Sequence, residues 1–591
     1  MKNFFKMMFA STIGAFIAMF IVGLIAVLFI VGMIVSAGSS QPFQLSKNTV
    51  LKIDLEGTMS DRVISNPFAS LFDSNSKQLS MIDIVAAIKK AKENDNIKGI
   101  YLKGDQLSAG ITSVEAIRSA LVDFKESGKF VIAYGGTYSQ SAYYLSSVAD
   151  KVILNPVGMV DLHGLAVVPM FYTGLLEKLG IKMEVFKVGT FKSAVEPFML
   201  KKMSDPNREQ VKSFLGSLWN NVSKNITVSR KLNQDSLDSL INEGLLFKDT
   251  PFLVSAGVVD TLLYSTEASD YIKGLMGVDK KEDLKVASVA EMNSVKEKDN
   301  HAKDQIAVLF AEGEITEAPS GAFNTQSVIS DKEYVKQLRD LRDKDNVKAV
   351  VFRVNSPGGS AYMAEQIWKE VVELKKVKPV VVSMGDYAAS GGYYISCGAD
   401  WIVAEPTTLT GSIGIFGIIP TFEGLMNKVS LTTDVEKTNK YADLGNITRS
   451  LNTDEKNMIQ AHIVRGYDTF LTRCAEGRNK TKDEIDAIGQ GRVWTGEQAL
   501  KNGLVDELGG LDRAIEVAAQ RAKIEKYSIK HYPEEKSFFD LLLEDLTSNN
   551  VKMNLLKSFL SETEYRHLAL IKNVEKIDNI QARLPFDTEV K

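Results

Sequence analysis

The sequence has 591 residues, long enough for more than one domain with a buried core in each. With 45% hydrophobic residues, 24% charged residues and 14 prolines, disordered and collagen-like classes are excluded for most of the chain. The balance of 70 basic against 74 acidic residues, a formal charge of -4, gives no footprint for a phosphate backbone, so no nucleic-acid partner is expected.

The chain opens on a membrane signal. No charge falls between Met7 and Gln41, and Phe9 to Ala37 is almost continuously apolar. As a helix that run crosses a hydrocarbon core of about 30 Å with some tilt. It is roughly twice the apolar length of a cleaved leader, which favours a retained anchor, although the small residues Ser36, Ala37 and Gly38 would suit cleavage. Lys2 and Lys6 precede the run and the next positive charge is Lys47. The expected topology is a single-pass span in the cytoplasmic membrane, with a cytoplasmic N-terminus and the body on the external, periplasmic side.

Beyond the span the chain repeats itself. Asp95 to Lys103, DNIKGIYLK, returns as DNVKAVVFR at Asp345 to Arg353, and SAYYLSSVAD at Ser141 to Asp150 returns as GGYYISCGAD at Gly391 to Asp400. Both pairs share an offset of 250 residues, which marks a tandem duplication. In each copy short Val/Ile-rich runs such as Ala349 to Phe352 and Val380 to Ser383 alternate with helix-period segments such as Ala361 to Lys375, the pattern of an α/β fold with buried, mostly parallel strands. The expected organisation is a stub and transmembrane anchor over 1–46, a first copy over 47–278, a charged linker over 279–305, a second copy over 306–531 and a helical tail over 532–591.

Positions 250 apart began as the same residue, so the differences between copies carry information. The first copy has Lys192 in VGTFKSAVEPF, ahead of Glu196, where the second has Ala442. At Val354 to Ser360 the second copy reads VNSPGGS after a strand, against GDQLSAG in the first. Gly358 and Gly359 permit positive φ and could aim N–H groups at an anionic oxygen, though a Pro-Gly-Gly is more often a plain surface turn. In MGDYAASGGYYIS the strand is expected to end near Ser383 and a helix to begin around Ser390, whose hydroxyl lies among small residues; the first copy has Gln140 there. A serine before two glycines is more often a helix cap, and Ala388 departs from the G-x-S-x-G elbow.

A serine nucleophile needs a base, and His163, His301, His462, His531 and His567 all lie far from Ser390 in sequence. The complementary losses supply another. One copy keeps the lysine, the other keeps the serine and the glycine turn, so a site shared between copies would pair Ser390 with Lys192, its pKa pushed down from about 10.4 by burial. Both an intra-chain and an inter-chain pairing satisfy this pattern. The two cysteines, Cys397 and Cys474, are too few for a disulfide framework or a cysteine-built metal site, and no metal or cofactor is expected.

These motifs, with TGSIGIFG and RVWTGEQALKNGLVDELGG, resemble the long form of the bacterial signal peptide peptidases, SppA, over essentially the whole chain. The resemblance implies tandem ClpP/crotonase-like domains and a serine endopeptidase that degrades cleaved signal peptides. It assigns Ser390 as nucleophile, Lys192 as general base, the Gly358–Gly359 turn as oxyanion loop and Ser412 as the residue that positions the lysine. It also implies apolar peptide substrates and a membrane-bound homotetramer. A non-catalytic membrane scaffold or peptide-binding protein on the same fold is the rival reading.

Overall fold

A strand that is apolar at every position must be covered on both faces. The computed structural model describes residues 6–8, 12–23, 25, 43–63, 77–296, 302–317, 327–534 and 580–583, and Gln305–Glu312 shows the principle. Its Ala307, Leu309 and Ala311 join one apolar cluster, with Leu338 and Ile367 of helices Asp331–Asp343 and Ala361–Lys375. Its alternate residues Ile306, Val308 and Phe310 join another, with Ala514 and Ala518 of helix Leu511–Ala522. Successive side chains point to opposite faces, so one strand feeds two cores.

Two such sheets are built, one per copy. The first has seven strands, all parallel, centred on Thr49–Ser60, Ile97–Ser108, Phe130–Tyr138 and Lys151–Val160. The second has eight, centred on Gln305–Glu312, Val347–Ser356 and Val380–Ala389, and is parallel apart from the pairing of Leu409–Gly411 with Val493–Thr495. The duplication extends to buried polar ties. Tyr143 donates its hydroxyl to Val258 O at 2.8 Å and Tyr393 to Leu504 O at 2.9 Å. Arg230 forks onto Asp260 as Arg478 does onto Asp506, each from the end of a 26-residue helix. The architecture is a tandem α/β protein.

A third sheet joins the copies. Lys182–Lys187 of the first pairs antiparallel with Phe416–Thr421 of the second, and Ile580–Arg583 runs between Phe416–Thr421 and Gly358–Ser360. Side chains seal the same seam. Arg353 donates to both oxygens of Asp61, at 2.7 and 3.0 Å, with both residues buried. Asp386 accepts from Thr112 N–H, Ser113 N–H and the Ser113 hydroxyl at the start of helix Ile111–Lys125. Burial lifts the nearby Glu312 to about 8 and Glu405 to about 7, which favours their neutral forms, and Arg353 pairs with Asp61 among them. Arg353→Met leaves Asp61 uncompensated, and we expect it to lower stability by about 3–5 kcal/mol. Urea denaturation checks this; the double variant Arg353→Met, Asp61→Leu should recover most of the loss.

Three expectations need revision or delimiting. The strand expected to end near Ser383 continues through Ala389, because Tyr387–Ala389 pairs with Leu409–Gly411 and Tyr387 N–H reaches Asn355 Oδ1. The charged stretch read as a linker is built into the first body over part of its length: Val286–Ala287 joins the first sheet, and Met292 is buried in its core. Of the expected membrane run, Lys6–Gly23 forms one helix long and apolar enough to cross a membrane, compatible with a single-pass anchor. Ser36, Ala37, Gly38, His301, His567 and the apolar segments SFFDLLLEDL and MNLLKSFL of the tail lie outside the described residues.

Candidate active site

Ser390 sits where strand Val380–Ala389 turns into helix Gly391–Ser396. Its φ of 56° and ψ of -114° form a conformation L residues rarely adopt. The turn is held by Ser390 N–H donating to Gly411 O and Tyr394 N–H donating to Ser390 O, both at 2.8 Å. Gly392 makes room beneath it, since a Cβ there would meet Ser356 O at 2.6 Å. This sharp turn aims the hydroxyl as an elbow does, although the elbow's glycine is absent. The hydroxyl makes no capping bond, so the helix-cap reading does not hold.

Lys192 comes from the other copy. Its Nζ lies 2.8 Å from Ser390 Oγ and 3.1 Å from both the carbonyl and the hydroxyl oxygen of Ser412. Among the described residues no carboxylate pairs with it, and Glu196 is occupied by Ser204 and Asn207. Complete burial therefore pushes its pKa well below 10.5, with nothing opposing it. A neutral amine has two N–H donors and one lone pair. Ser412 offers two oxygens for the donors, which leaves the lone pair for the Ser390 proton. Lys192, Ser390 and Ser412 meet within one chain, and each is 0% exposed.

The lysine loop is carried on the second copy by residues that sequence reading missed. Phe191 N–H donates to Gln490 O at 2.8 Å, and buried Gln210 donates to Phe191 O and Ser193 Oγ while accepting from Val493 N–H. Gly491 packs so closely that a Cβ would lie 2.6 Å from Lys192 N, Cα and Cβ. Its N–H donates to Ile413 O at 2.7 Å, and Ser412 N–H donates to Arg492 O at 2.7 Å. The signal available was Gly491 in GQGRVW; Gln210 had none.

Gly358 and Gly359 stand at positive φ, 104° and 153°, in strand Gly358–Ser360 beside the nucleophile helix. Gly358 N–H donates to Ser356 Oγ at 3.2 Å here. In the first copy the equivalent place is closed: Gln140 is helical, and its side chain accepts from His163 and Gly164 N–H and donates to Gly164 O. The strained turn occurs only in the copy that keeps the serine. His163 pairs with Asp161 at the surface, His462 faces Arg465, and His531 packs edge-on against Phe310, so no described histidine contacts Ser390.

Comparison with known proteins places the chain in a family. The model of peptidase family S49 matches twice, at residues 123–279 and 372–525. Protease 4 of Salmonella typhi is 37% identical over 539 residues, covering 88% of this chain and 86% of that protein. The chloroplastic serine protease SPPA of Arabidopsis thaliana is 33% identical, covering 82% and 71%. A solved ClpP1 mutant from Listeria monocytogenes shares 16% identity at a TM-score of 0.24, covering 35% of this chain and 94% of its own. With both halves matched by one family and the length spanned by Protease 4, the chain belongs to peptidase family S49, as a long-form, two-copy serine peptidase of the SppA type.

Proposed function

We propose that this peptidase is a membrane-anchored endopeptidase that degrades released signal peptides through a Ser390/Lys192 dyad assembled across its two copies. The observation that carries the reading is the 2.8 Å approach of an unpaired, buried lysine amine to a serine hydroxyl on a strained turn. Neutral Lys192 takes the proton as Ser390 Oγ attacks the scissile carbonyl. N–H groups around Gly358 and Gly359 stabilise the oxyanion. The ammonium, held by Ser412, then protonates the leaving amine, and a water admitted to the site hydrolyses the ester with Lys192 as base again. An extended peptide laid along Gly358–Ser360 needs no charged side chain, which suits the apolar core of a leader peptide. The homotetramer and the cytoplasmic-membrane topology belong to the same reading.

The active form is the unprotonated lysine, so kcat/KM should rise with pH through the depressed lysine pKa and then level off. The test uses the full chain in detergent with an apolar fluorogenic leader peptide, followed by peptide mapping of the trapped acyl-enzyme. A rising profile with the adduct on Ser390 is expected. A flat or falling profile, or an adduct on another residue, would refute the dyad.

A further inference from the structure

The strand Ile580–Arg583 lies where an extended substrate should lie. On one side Arg583, Ala582 and Gln581 pair antiparallel with Gly358, Gly359 and Ser360, the loop assigned to the oxyanion. On the other, Gln581 and Ile580 pair antiparallel with Phe416 and Gly417. Phe416 marks the lysine side of the groove, its ring centroid 5.9 Å from Lys192 Nζ. The strand also packs against helix Gly391–Ser396, which Ser390 opens. It therefore completes a sheet between the oxyanion edge and the lysine edge, over the nucleophile, in the manner of peptide strand addition. With it in place Ser390 and Lys192 are fully buried, so no second peptide strand fits between these two edges.

We propose that Ile580–Arg583 is the resident occupant of the peptide groove, an internal pseudosubstrate that covers the dyad until an incoming peptide displaces it. This rests on the proteolytic reading above. The segment reads Ile-Gln-Ala-Arg, polar at two of its four positions and unlike a leader-peptide core. Backbone pairing, which is indifferent to side chain, and tethering to the same chain both contribute to its hold. Tethering to the same chain turns a bimolecular encounter into an intramolecular one, so modest pairing suffices to fill the groove. A groove filled nine-tenths of the time raises the apparent KM about tenfold while leaving kcat unchanged.

Gln581 has a paired strand on each side, so its N–H faces one of two edges, and proline there removes that donor and is excluded from central strands. The test compares the full chain with its Gln581→Pro variant, each also carrying Ser390→Ala in a second pair. Gln581→Pro should lower KM for the fluorogenic leader peptide about tenfold at constant kcat. In the inactive Ser390→Ala pair, the same change should speed hydrogen exchange at the amides of Gly358–Ser360 and Phe416–Gly417. If KM or exchange is unmoved, the pseudosubstrate is overturned while the dyad stands. Cleavage by the Ser390→Ala chains would instead overturn the dyad.

Discussion

Lys192→Met is expected to lower kcat by about 10⁴-fold or more, because nucleophile and base act as one unit and either loss removes most of the acceleration. Methionine keeps the length and apolar stem of the lysine and removes the amine, both the lone pair that faces Ser390 Oγ at 2.8 Å and the N–H donors to Ser412. The same variant should be more stable than the unaltered chain at neutral pH. The unfolded chain holds its lysine proton up to about 10.4, whereas the folded chain releases it at much lower pH under the force of burial. Between the two values the unfolded state binds more protons, so this lysine's contribution to stability improves as pH rises. The advantage of methionine is therefore largest at low pH and shrinks toward about 10.4. Lys192→Arg should be equally inactive without that gain, since a guanidinium stays charged in a site with no carboxylate to meet it. Peptide turnover and urea midpoints across pH measure both effects. A Lys192→Arg enzyme with normal turnover would contradict the assignment.

Gly491→Ala is expected to reduce kcat by about 10²-fold without touching any reacting atom. Gly491 has a φ of 79°, and an added Cβ would sit 2.6 Å from three atoms at the root of Lys192. Two of those atoms are backbone and cannot rotate aside, so the loop carrying the base must move away from the Gln490–Arg492 turn. A displacement near 1 Å at a reacting group is enough for this loss. The expected signature is a fall in kcat at nearly constant KM, with the pH profile keeping its rising shape, because the amine remains buried. A variant with unchanged kcat would show that the close packing does not place the base.

The meeting of Lys192 with Ser390 was legible in the sequence because duplication supplies an internal reference. Lys192 opposite Ala442 and Ser390 opposite Gln140 each mark a place where one copy keeps what the other lost, whereas Ser412 came from the family resemblance and has Leu162 opposite it. The buried strands were legible too, since runs such as Val380–Val382 have no other stable setting than a covered sheet. The remainder depends on contacts made far along the chain. MGDYAA looks like a loop by composition, and it is a strand because Thr408 Oγ1 donates to Gly385 O and Leu409–Gly411 pairs beside it. Gln210 lies mid-helix without any motif, and its role emerges only when Phe191, Ser193 and Val493 converge on its amide. Four residues at 580–583 carry no strand signal of their own; the two open edges on either side make them one.

Lys192 and Ser390 of a single chain face each other across the two copies. Ser390→Ala and Lys192→Ala chains, prepared separately and also co-expressed, separate this from pairing between neighbouring chains. Within one chain, every mixed assembly holds only incomplete dyads, so both single variants and the co-expressed pair should fail to cleave an apolar leader peptide that the unaltered enzyme cuts. Recovery of turnover on co-expression would place Lys192 of one chain on Ser390 of another and contradict the account.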